Sequence, residues 1–409
     1  MRIAVLTHTF PPTNHGNAKR PYYVVKGLLN AGWQVDVYTS SYGCEGNTDV
    51  LKHPKLTVHV ISDFKQKLFR IAKKTPVISK LCSKVVTGLS WPDVNAAWVK
   101  IVCRRLLEDN SYDRVLAFVF PASMFLAGKY EGLVDESWTF DLQESVTPQA
   151  KIVMRKSPLY QWRLPRLEAL EKQSMSKAGK VIFTANTNCN TYIDAGIIEQ
   201  SKTLHIPHFY DESYFRKIEE TKLLSGFNIA YYGTFDWSGS RSPETFFNSF
   251  RKFLDANPEA QIEAKFVFYG TWLSEHNQLI EDLELADNVQ INKAVSYEEY
   301  MKKLPNSNAL LLLVSSEHNL FMPSKIVDYF GAQRPILAYV PVGSEMEQVL
   351  KDAEMENYSI SERDIDGGAE AIKLLWNAYQ RGELAVKANK VKEWSFGSVM
   401  PKYIQCLEH

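Results

Sequence analysis

The sequence predicts an α/β protein with two doubly wound domains that face each other across a cleft. Its 409 residues exceed the size at which one hydrophobic core stops growing, so two domains are expected. Strand-like and helical segments alternate along the chain, a pattern typical of parallel sheets covered by helices. The alternation begins at the N-terminus and restarts after the middle of the chain. Each half is therefore expected to form its own sheet.

The N-terminal half opens with a β-loop-α-β unit. Arg2 to Thr9 is rich in β-branched and apolar residues and predicts a strand. A loop containing proline and glycine occupies residues 10–17, and residues 18–30 predict a helix that a glycine ends. Trp33 to Thr39 alternates like a second strand. This is the repeating unit of a doubly wound sheet.

The second half repeats the alternation of strands and helices. Its predicted strands are 227–232, 265–269, 288–292, 309–315 and 335–340, and its predicted helices are 242–257, 275–286, 296–304, 324–332 and 345–353. We place the domains at 1–215 and 216–389, with the boundary between about 210 and 225. A C-terminal helix over about 390–409 is also predicted, and the N-terminal domain is its candidate docking partner.

The composition is that of an ordinary globular protein, with 45% hydrophobic and 23% charged residues. Lysine plus arginine and aspartate plus glutamate each total 47, so the chain lacks the overall positive charge typical of a nucleic-acid binder. The cysteines are odd in number and lack metal-ligand or redox spacing, which predicts reduced, mostly packed thiols. They are Cys44, Cys82, Cys103, Cys189 and Cys406.

The sequence predicts a cytoplasmic protein, because the N-terminus enters a strand without a signal peptide. The longest uninterrupted aliphatic run, Ala309 to Val314, is too short to span a bilayer. One stretch, Lys65 to Lys84, has seven basic residues and no acidic one, interleaved with apolar residues. Such a stretch can lie on the anionic inner surface of a membrane, or it can form a solvated basic face beside a packed apolar one.

Two glycine-containing loops follow predicted strands. Ligands of doubly wound sheets bind at the carboxyl ends of strands, where helix N-termini favour anions. Gly16 and Asn17 lie in such a loop, although both are also common turn formers. Gly233 and Thr234 begin the second loop, and Arg241 near its end can face a phosphate or remain a solvated surface arginine.

The most informative segment runs from Phe321 to Ala338. Ser324 and Lys325 open its predicted helix, where the amides and the ammonium can meet a phosphate. Asp328 lies one turn further on the same face, and its carboxylate can accept hydrogen bonds from two ribose hydroxyls. Ser324 can also be an N-cap, and Asp328 can also form an exposed ion pair with Lys325 that contributes little; both roles are compatible with ligand binding.

These motifs resemble those of the retaining glycosyltransferases of family GT4, which have the GT-B architecture of two Rossmann-like domains. The resemblance touches nearly the whole chain, and its specific part is the block around Lys325. The matching motifs are Phe10-Pro-Pro with Gly16-Asn17 and Arg20, Asn228 to Thr234, Ile206-Pro207 with Asp211, Pro323-Ser324-Lys325, Asp328-Tyr329, and Arg334 to Ala338.

The resemblance implies a nucleotide-sugar site in the C-terminal domain. It implies that Asp328 holds the ribose and that Lys325 and Arg241 meet the diphosphate. Backbone groups around Ala294 and Val295 would contact the base.

Gly16 and Asn17 would approach the diphosphate from the N-terminal domain, which the resemblance makes the acceptor domain. Thr139 to Glu144 resembles a strand end of the family that would aim Asp141 and Glu144 into the cleft. Loop carboxylates that cap backbone amides are the equal alternative for these two acids.

The chain departs from the family pattern at three positions. The ribose carboxylate is usually Glu, and here it is the shorter Asp328. The first acid of the E-x7-E pattern is replaced by Leu320, with Glu317 three residues earlier. Phe125 stands where a sugar-contacting His is often found.

The implied reaction moves a sugar from a nucleoside-diphosphate sugar to an acceptor hydroxyl, with retention. The acceptor class is a saccharide or lipid-linked glycan of surface polysaccharide synthesis, and neither a metal nor another cofactor is expected. No residue stands out as a general base, which fits a front-side attack assisted by the leaving phosphate. The alternatives are another GT-B activity, such as a nucleotide-sugar epimerase or a phosphorylase, and a protein that binds nucleotide or glycan without turnover.

Overall fold

The computed structural model describes most of the chain. The described residues are 1–13, 16–41, 52–62, 90–109, 111–153, 158–215, 226–235, 241–384, 386 and 389–409. The basic stretch from Lys65 to Lys84 lies outside them, as do Cys44 and Cys82. The membrane contact and the thiol state predicted for these residues remain predictions.

The chain divides into two compact units. The N-terminal unit contains Met1–Pro207 and Met400–His409, and the C-terminal unit contains His208–Val399. The boundary expected at 215 lies a few residues beyond the observed one. The end of the chain joins the N-terminal unit.

The described strands of the N-terminal unit form one parallel sheet of seven strands in the order β3-β2-β1-β4-β5-β6-β7. Its strands are β1 (Arg2–Leu6), β2 (Gln34–Ser40), β3 (Leu56–Ile61), β4 (Arg114–Phe118), β5 (Trp138–Leu142), β6 (Lys180–Phe183) and β7 (Thr203–His205). The strand order reverses between β1 and β4. Ligands of doubly wound sheets bind at such a switch point.

Helices accompany this sheet along the chain. They are α1 (Lys19–Asn30), α2 (Ala96–Glu108), α3 (Thr147–Val153), α4 (Pro158–Lys177) and α5 (Asn186–Asp194). All five residues of β5 are buried, and four of the five residues of both β1 and β4 are buried. Near-continuous burial along these strands is expected for a parallel sheet that is covered on both faces.

The described strands of the C-terminal unit form a second parallel sheet, of six strands in the order β10-β9-β8-β11-β12-β13. Its strands are β8 (Asn228–Thr234), β9 (Lys265–Thr271), β10 (Val289–Asn292), β11 (Ala309–Leu313), β12 (Ile336–Val340) and β13 (Ser359–Ser361). Its helices are α6 (Glu244–Ala256), α7 (Ala260–Glu263), α8 (Asn277–Asp282), α9 (Tyr297–Lys303), α10 (Lys325–Ala332), α11 (Glu345–Asp352) and α12 (Ile365–Gln380). The order reverses between β8 and β11.

The predicted strands and helices of the second half are confirmed, with one helix shorter than expected. The helix predicted over 275–286 is a 3-10 turn, Ser274–His276, followed by α8, which ends at Asp282. Glu284 adopts a left-handed backbone with φ of 51°. A left-handed residue at this position ends a helix.

The last helix, α13 (Phe396–Glu408), packs its second half on the N-terminal unit. A Cβ on Gly27 of α1 would overlap the side chain of Met400, so the two helices approach closely there. The Arg114 Nε donates to the Leu407 carbonyl at 2.8 Å. The predicted tail is broken at Ser395, which follows a 3-10 turn over Lys390–Trp394. Within the described ranges, every helix is too short or too polar to cross a membrane.

Candidate functional site

The switch point of the C-terminal sheet brings the end of β8 next to the start of α10. Gly233 has φ of 136°, and a Cβ placed on it would lie 3.4 Å from the Lys325 Nζ. The same Nζ donates a hydrogen bond to the Tyr232 carbonyl at 3.0 Å. The predicted glycine loop and the predicted lysine are therefore neighbours.

Lys325 occupies an environment that disfavours its positive charge. Its Nζ lies 4.0 Å from the centroid of the Tyr231 ring. Burial, and then the nearby positive charge of Arg241, lower the pKa of Lys325 to about 7. Within the ranges that the structure describes, neither Lys325 nor Arg241 forms an ion pair with a carboxylate. Two neighbouring cations without a protein counter-ion favour an anionic ligand.

The first turn of α10 adds a second source of positive potential. Ser324 precedes the helix, is exposed, and makes no side-chain capping hydrogen bond. The N-terminus of a helix carries unsatisfied amides and the positive end of the helix dipole. Ser324 therefore occupies the N-cap position expected from the sequence, but its hydroxyl does not supply a capping hydrogen bond.

Asp328 lies one turn into α10 and is only 3% exposed. The Tyr300 hydroxyl donates to the Asp328 Oδ2 at 3.3 Å. The carboxylate is therefore held inside the domain, and it is not the exposed helical ion-pair partner that was the alternative reading. Its hydrogen bond joins α10 to α9.

The loop predicted to contact a base leads into the helix that carries Tyr300. Ala294 is exposed and Val295 is half-buried, and both follow β10. The Ser296 side chain caps α9 by accepting from the Glu299 amide at 3.2 Å. Thr234, at the end of β8, is half-buried, and its carbonyl accepts from the Tyr231 hydroxyl at 3.3 Å.

In the N-terminal unit, Gly16 opens a 3-10 turn, Gly16–Ala18, that leads into α1. Gly16 is exposed, and a Cβ placed on it would meet no heavy atom of the described residues within 4 Å. Asn17 is half-buried beside it. Packing against the described part of the chain therefore does not require glycine at position 16.

Asp141 does not have the environment predicted from its motif. It is fully buried at the end of β5, where it accepts from the Arg20 Nε at 2.9 Å and from the Tyr403 hydroxyl at 2.7 Å. Burial raises the pKa of Asp141, while Arg20 and Tyr403 oppose that rise. The geometry favours a structural role for Asp141 over the catalytic role predicted from the sequence.

Glu144, the other acid of that motif, is exposed in the loop after β5. Phe125 is fully buried, with its ring centroid 5.5 Å from that of Phe140. A side chain at position 125 in this conformation faces the core. Leu320 is buried, whereas Glu317 is exposed.

Two residues, one in each unit, have contacts that the sequence does not predict. Arg20 lies in a recognisable motif that gives it no role of its own, and it also donates to the carbonyls of Ile206 and Pro207 at 2.9 and 2.8 Å. Tyr300 lies in a predicted helix without any motif, so only its contact with Asp328 identifies it.

A buried carboxyl group holds the start of α3, just after the loop with Glu144. The Glu171 Oε1 accepts from the Thr147 amide at 3.2 Å and from the Tyr192 hydroxyl at 2.9 Å. The Tyr192 hydroxyl in turn accepts from the Val146 amide at 3.0 Å. Burial is the main cause that raises the pKa of Glu171 from 4.5 to about 7.

The raised pKa predicts a pH-dependent stability. Between pH 4.5 and about 7 the folded state holds a proton on Glu171 that the unfolded state has released. The free energy of unfolding should therefore be highest below 4.5 and fall as the pH rises through about 7. Glu171→Gln should remove this contribution. Urea unfolding at pH 5 and pH 8, with Glu131→Gln as the exposed control, measures it. Equal pH dependence in the wild type and Glu171→Gln would contradict it.

The two parallel sheets define a GT-B fold. No protein-family model matches the sequence, and no curated protein matches it. Among solved structures, sucrose-phosphate synthase from Thermosynechococcus elongatus is similar, with a TM-score of 0.68, 13% identity, and coverage of 100% of this chain and 98% of that one. The GT-B architecture implied by the sequence motifs is confirmed at the level of the fold.

Two further structures show the same similarity. The E. coli trehalose-6-phosphate structure bound with UDP-2-fluoro glucose has a TM-score of 0.66 and 14% identity, covering 100% of this chain and 99% of that one. WaaG, a glycosyltransferase involved in lipopolysaccharide biosynthesis, has a TM-score of 0.65 and 14% identity, covering 99% of each chain. At such identities the similarity concerns the fold alone.

Proposed function

We propose that the chain is a retaining glycosyltransferase that moves a sugar from a nucleoside-diphosphate sugar to an acceptor hydroxyl. The observation that carries this proposal is the position of Lys325 at the start of α10 beside Gly233, with Arg241 near enough for its charge to lower the pKa of Lys325. The UDP-sugar bound by one protein of the same fold supports a nucleotide-sugar donor. Retention is supported by the sequence resemblance to family GT4.

The chemical task of the site is to stabilise a leaving diphosphate. As the bond between the sugar C1 and the phosphate oxygen breaks, negative charge grows on that oxygen. Lys325, Arg241 and the first-turn amides of α10 would meet this charge. The acceptor oxygen attacks C1 from the same face, and its proton passes to the leaving phosphate. This route requires no protein general base.

Residues on neighbouring elements would bind the ribose, the base and the diphosphate of the donor. The Asp328 carboxylate would accept hydrogen bonds from hydroxyls of the ribose, and backbone groups at Ala294 and Val295 would contact the base. Gly233, Thr234 and Ser324 would line the diphosphate. The diphosphate would also raise the pKa of Lys325, because a bound anion favours its charged form.

For the acceptor, we propose a saccharide or lipid-linked glycan of surface polysaccharide synthesis. The involvement of WaaG, a protein of the same fold, in lipopolysaccharide biosynthesis supports this class. The basic and apolar stretch from Lys65 to Lys84 supports contact with the inner membrane surface. Binding of the protein to vesicles with and without anionic lipid tests that contact.

A thermal-shift screen against UDP-, GDP-, ADP- and TDP-sugars tests the donor proposal. A ligand that binds the folded state raises its stability by mass action, by about 2.7 kcal/mol at a concentration of 100 Kd. We expect one nucleotide class to raise the unfolding midpoint of the wild type, and Lys325→Ala to lose that rise. No rise with any of the four, or an equal rise in Lys325→Ala, would contradict the assigned site.

A nucleotide-binding protein without turnover is the second candidate. The buried Phe125 and Leu320 favour it, because Phe125 stands where the family often has a sugar-contacting His and Leu320 replaces the first acid of the E-x7-E pattern. Donor hydrolysis separates the two functions, since an enzyme of this class releases sugar slowly to water in the absence of acceptor. Product analysis likewise identifies an epimerase or a phosphorylase.

Gly16→Ala probes the proposed contact between Gly16 and the donor. A Cβ at this position has open space, so the free energy of unfolding should change by less than about 0.5 kcal/mol. A donor that approaches the backbone would meet the new methyl group, and the KM for the donor should rise about tenfold, or about 1.4 kcal/mol. Asn30→Ala, at the far end of α1, is the control. An unchanged KM in Gly16→Ala would remove Gly16 from the site.

A further inference from the structure

Tyr300 is held rigidly at the carboxyl edge of the C-terminal sheet. Its ring centroid lies 5.1 Å from that of Tyr232 in an edge-to-face contact. The Tyr232 ring stacks on Tyr269 at 4.9 Å with an interplanar angle of 5°. Two aromatic rings, Tyr232 of β8 and Tyr269 of β9, therefore support the ring of Tyr300, whose hydroxyl donates to the Asp328 Oδ2 at 3.3 Å.

The hydrogen bond constrains Asp328 before any ligand is present. The terminal torsion of an aspartate side chain is broad, so its hydrogen-bond donors select the plane of the carboxylate. The Tyr300 hydroxyl is one of these donors. Burial, followed by the negative charge of Asp328, raises the pKa of Tyr300 well above its usual value. The phenol thus remains a donor throughout the physiological pH range.

We propose that Tyr300 is a positioning residue that orients Asp328 toward the pentose of the donor and thereby makes the chain discriminate ribonucleotides from 2′-deoxyribonucleotides. This inference rests on the proposed function, in which Asp328 accepts hydroxyls of the ribose. A carboxylate oxygen can accept more than one hydrogen bond, so the bond from Tyr300 is compatible with a second bond from a ribose hydroxyl.

The location of Tyr300 supports this role. It lies on α9, directly after the loop of Ala294 and Val295 that is proposed to contact the base. Its hydroxyl reaches α10, which begins at Lys325, the proposed diphosphate contact. The Tyr300–Asp328 bond therefore joins the elements proposed to hold the base, the pentose and the diphosphate.

The test compares dissociation constants of UDP, GDP and ADP, each against its 2′-deoxy counterpart. The wild type should bind the ribonucleotide about tenfold more tightly, the effect of one hydrogen bond. Tyr300→Phe retains the ring contacts and removes only the hydroxyl. It should bind both forms nearly equally, through loss of affinity for the ribonucleotide alone. Asp328→Asn should lower the ratio of the 2′-deoxyribonucleotide Kd to the ribonucleotide Kd. Tyr269→Phe, from the same ring stack, should preserve that ratio.

The outcomes separate this inference from the proposed function. If the wild type binds none of these nucleotides or their sugars, the proposed function fails. If the wild type discriminates and Tyr300→Phe retains the full ratio, the positioning role is overturned. Equal loss of affinity for both forms in Tyr300→Phe would indicate a merely structural role and would also overturn it, as would equal binding of both forms by the wild type.

Discussion

Lys325→Ala is expected to lower turnover by about 100- to 1,000-fold, the effect of removing one preorganised donor from a site of developing charge. The Lys325 Nζ is held by the Tyr232 carbonyl at 3.0 Å and stays close to Gly233 and Arg241. Its direction is therefore set before the donor binds. Arg241→Ala should lower turnover too, by less, because Arg241 is exposed.

Lys325→Ala should not lower the free energy of unfolding. The pKa of Lys325 is lowered to about 7 in the folded state. Between pH 7 and 10.5 the folded lysine is therefore mostly neutral, whereas the unfolded lysine is mostly protonated. Within this window the unfolded state binds the extra proton, so the lysine contributes unfavourably to stability. We expect the unfolding midpoint of Lys325→Ala at pH 7.5 to be no lower than that of the wild type.

Turnover and the unfolding midpoint should be measured together for this variant. Lys302→Ala is the control, because Lys302 is an exposed lysine that pairs with Glu298 at 2.6 Å on α9. It should leave turnover unchanged. Full turnover in Lys325→Ala, or a loss of turnover accompanied by unfolding, would contradict the role assigned to this residue.

Arg20→Ala is the second substitution with a large expected effect, a loss of about 3–5 kcal/mol in the free energy of unfolding. The guanidinium is 3% exposed, pairs with the fully buried Asp141 at 2.9 Å, and donates to the carbonyls of Ile206 and Pro207. Its removal leaves a buried carboxylate without its cation. The chain leaves the N-terminal unit at Pro207 and returns to it at Met400, and Tyr403 also binds Asp141.

Urea unfolding measures this cost. Lys302→Ala breaks an exposed ion pair and should leave the free energy of unfolding nearly unchanged. The double variant Arg20→Met with Asp141→Leu should recover part of the loss, because it removes both buried charges. If Arg20→Ala costs no more than Lys302→Ala, or if the double variant is less stable than the single one, the buried pair does not have the role described.

The sequence was most informative where function depends on local motifs. Gly233, Ser324, Lys325 and Asp328 come from short segments at the ends of strands, and the structure places Gly233 beside Lys325. The periodicity of the second half also predicted β8 to β12 and most of the helices between them. Glycine loops, helix starts and apolar runs are signals that a few neighbouring residues carry.

The sequence could not predict the environment of Asp141, because that environment depends on distant residues. Arg20 precedes it by 121 positions and Tyr403 follows it by 262. A strand-end motif indicates where a carboxylate lies in a sheet, but it does not indicate which side chains cover it. The same limit applies to Tyr300, whose partner Asp328 lies 28 residues away on another helix.

The elements β13 and α12 were also missed. β13 has only three residues and lies at the sheet edge, so it carries little periodicity. The helix α12 contains Gly367 and Gly368 in its first turn, and glycine is a weak helix former. A Cβ on Gly368 would overlap Ser249 and Tyr339, so close packing explains that glycine. The Asp364 side chain still caps the helix by accepting from the Gly367 amide at 2.8 Å.

A crystal structure with the nucleotide sugar that stabilises the protein most is the direct test of the donor site. We predict diphosphate oxygens within hydrogen-bond distance, about 3 Å, of the Lys325 Nζ and of amides in the first turn of α10. The pentose should face Asp328. A ligand bound away from α10, with Lys325 still directed only at the Tyr232 carbonyl, would contradict the proposed function.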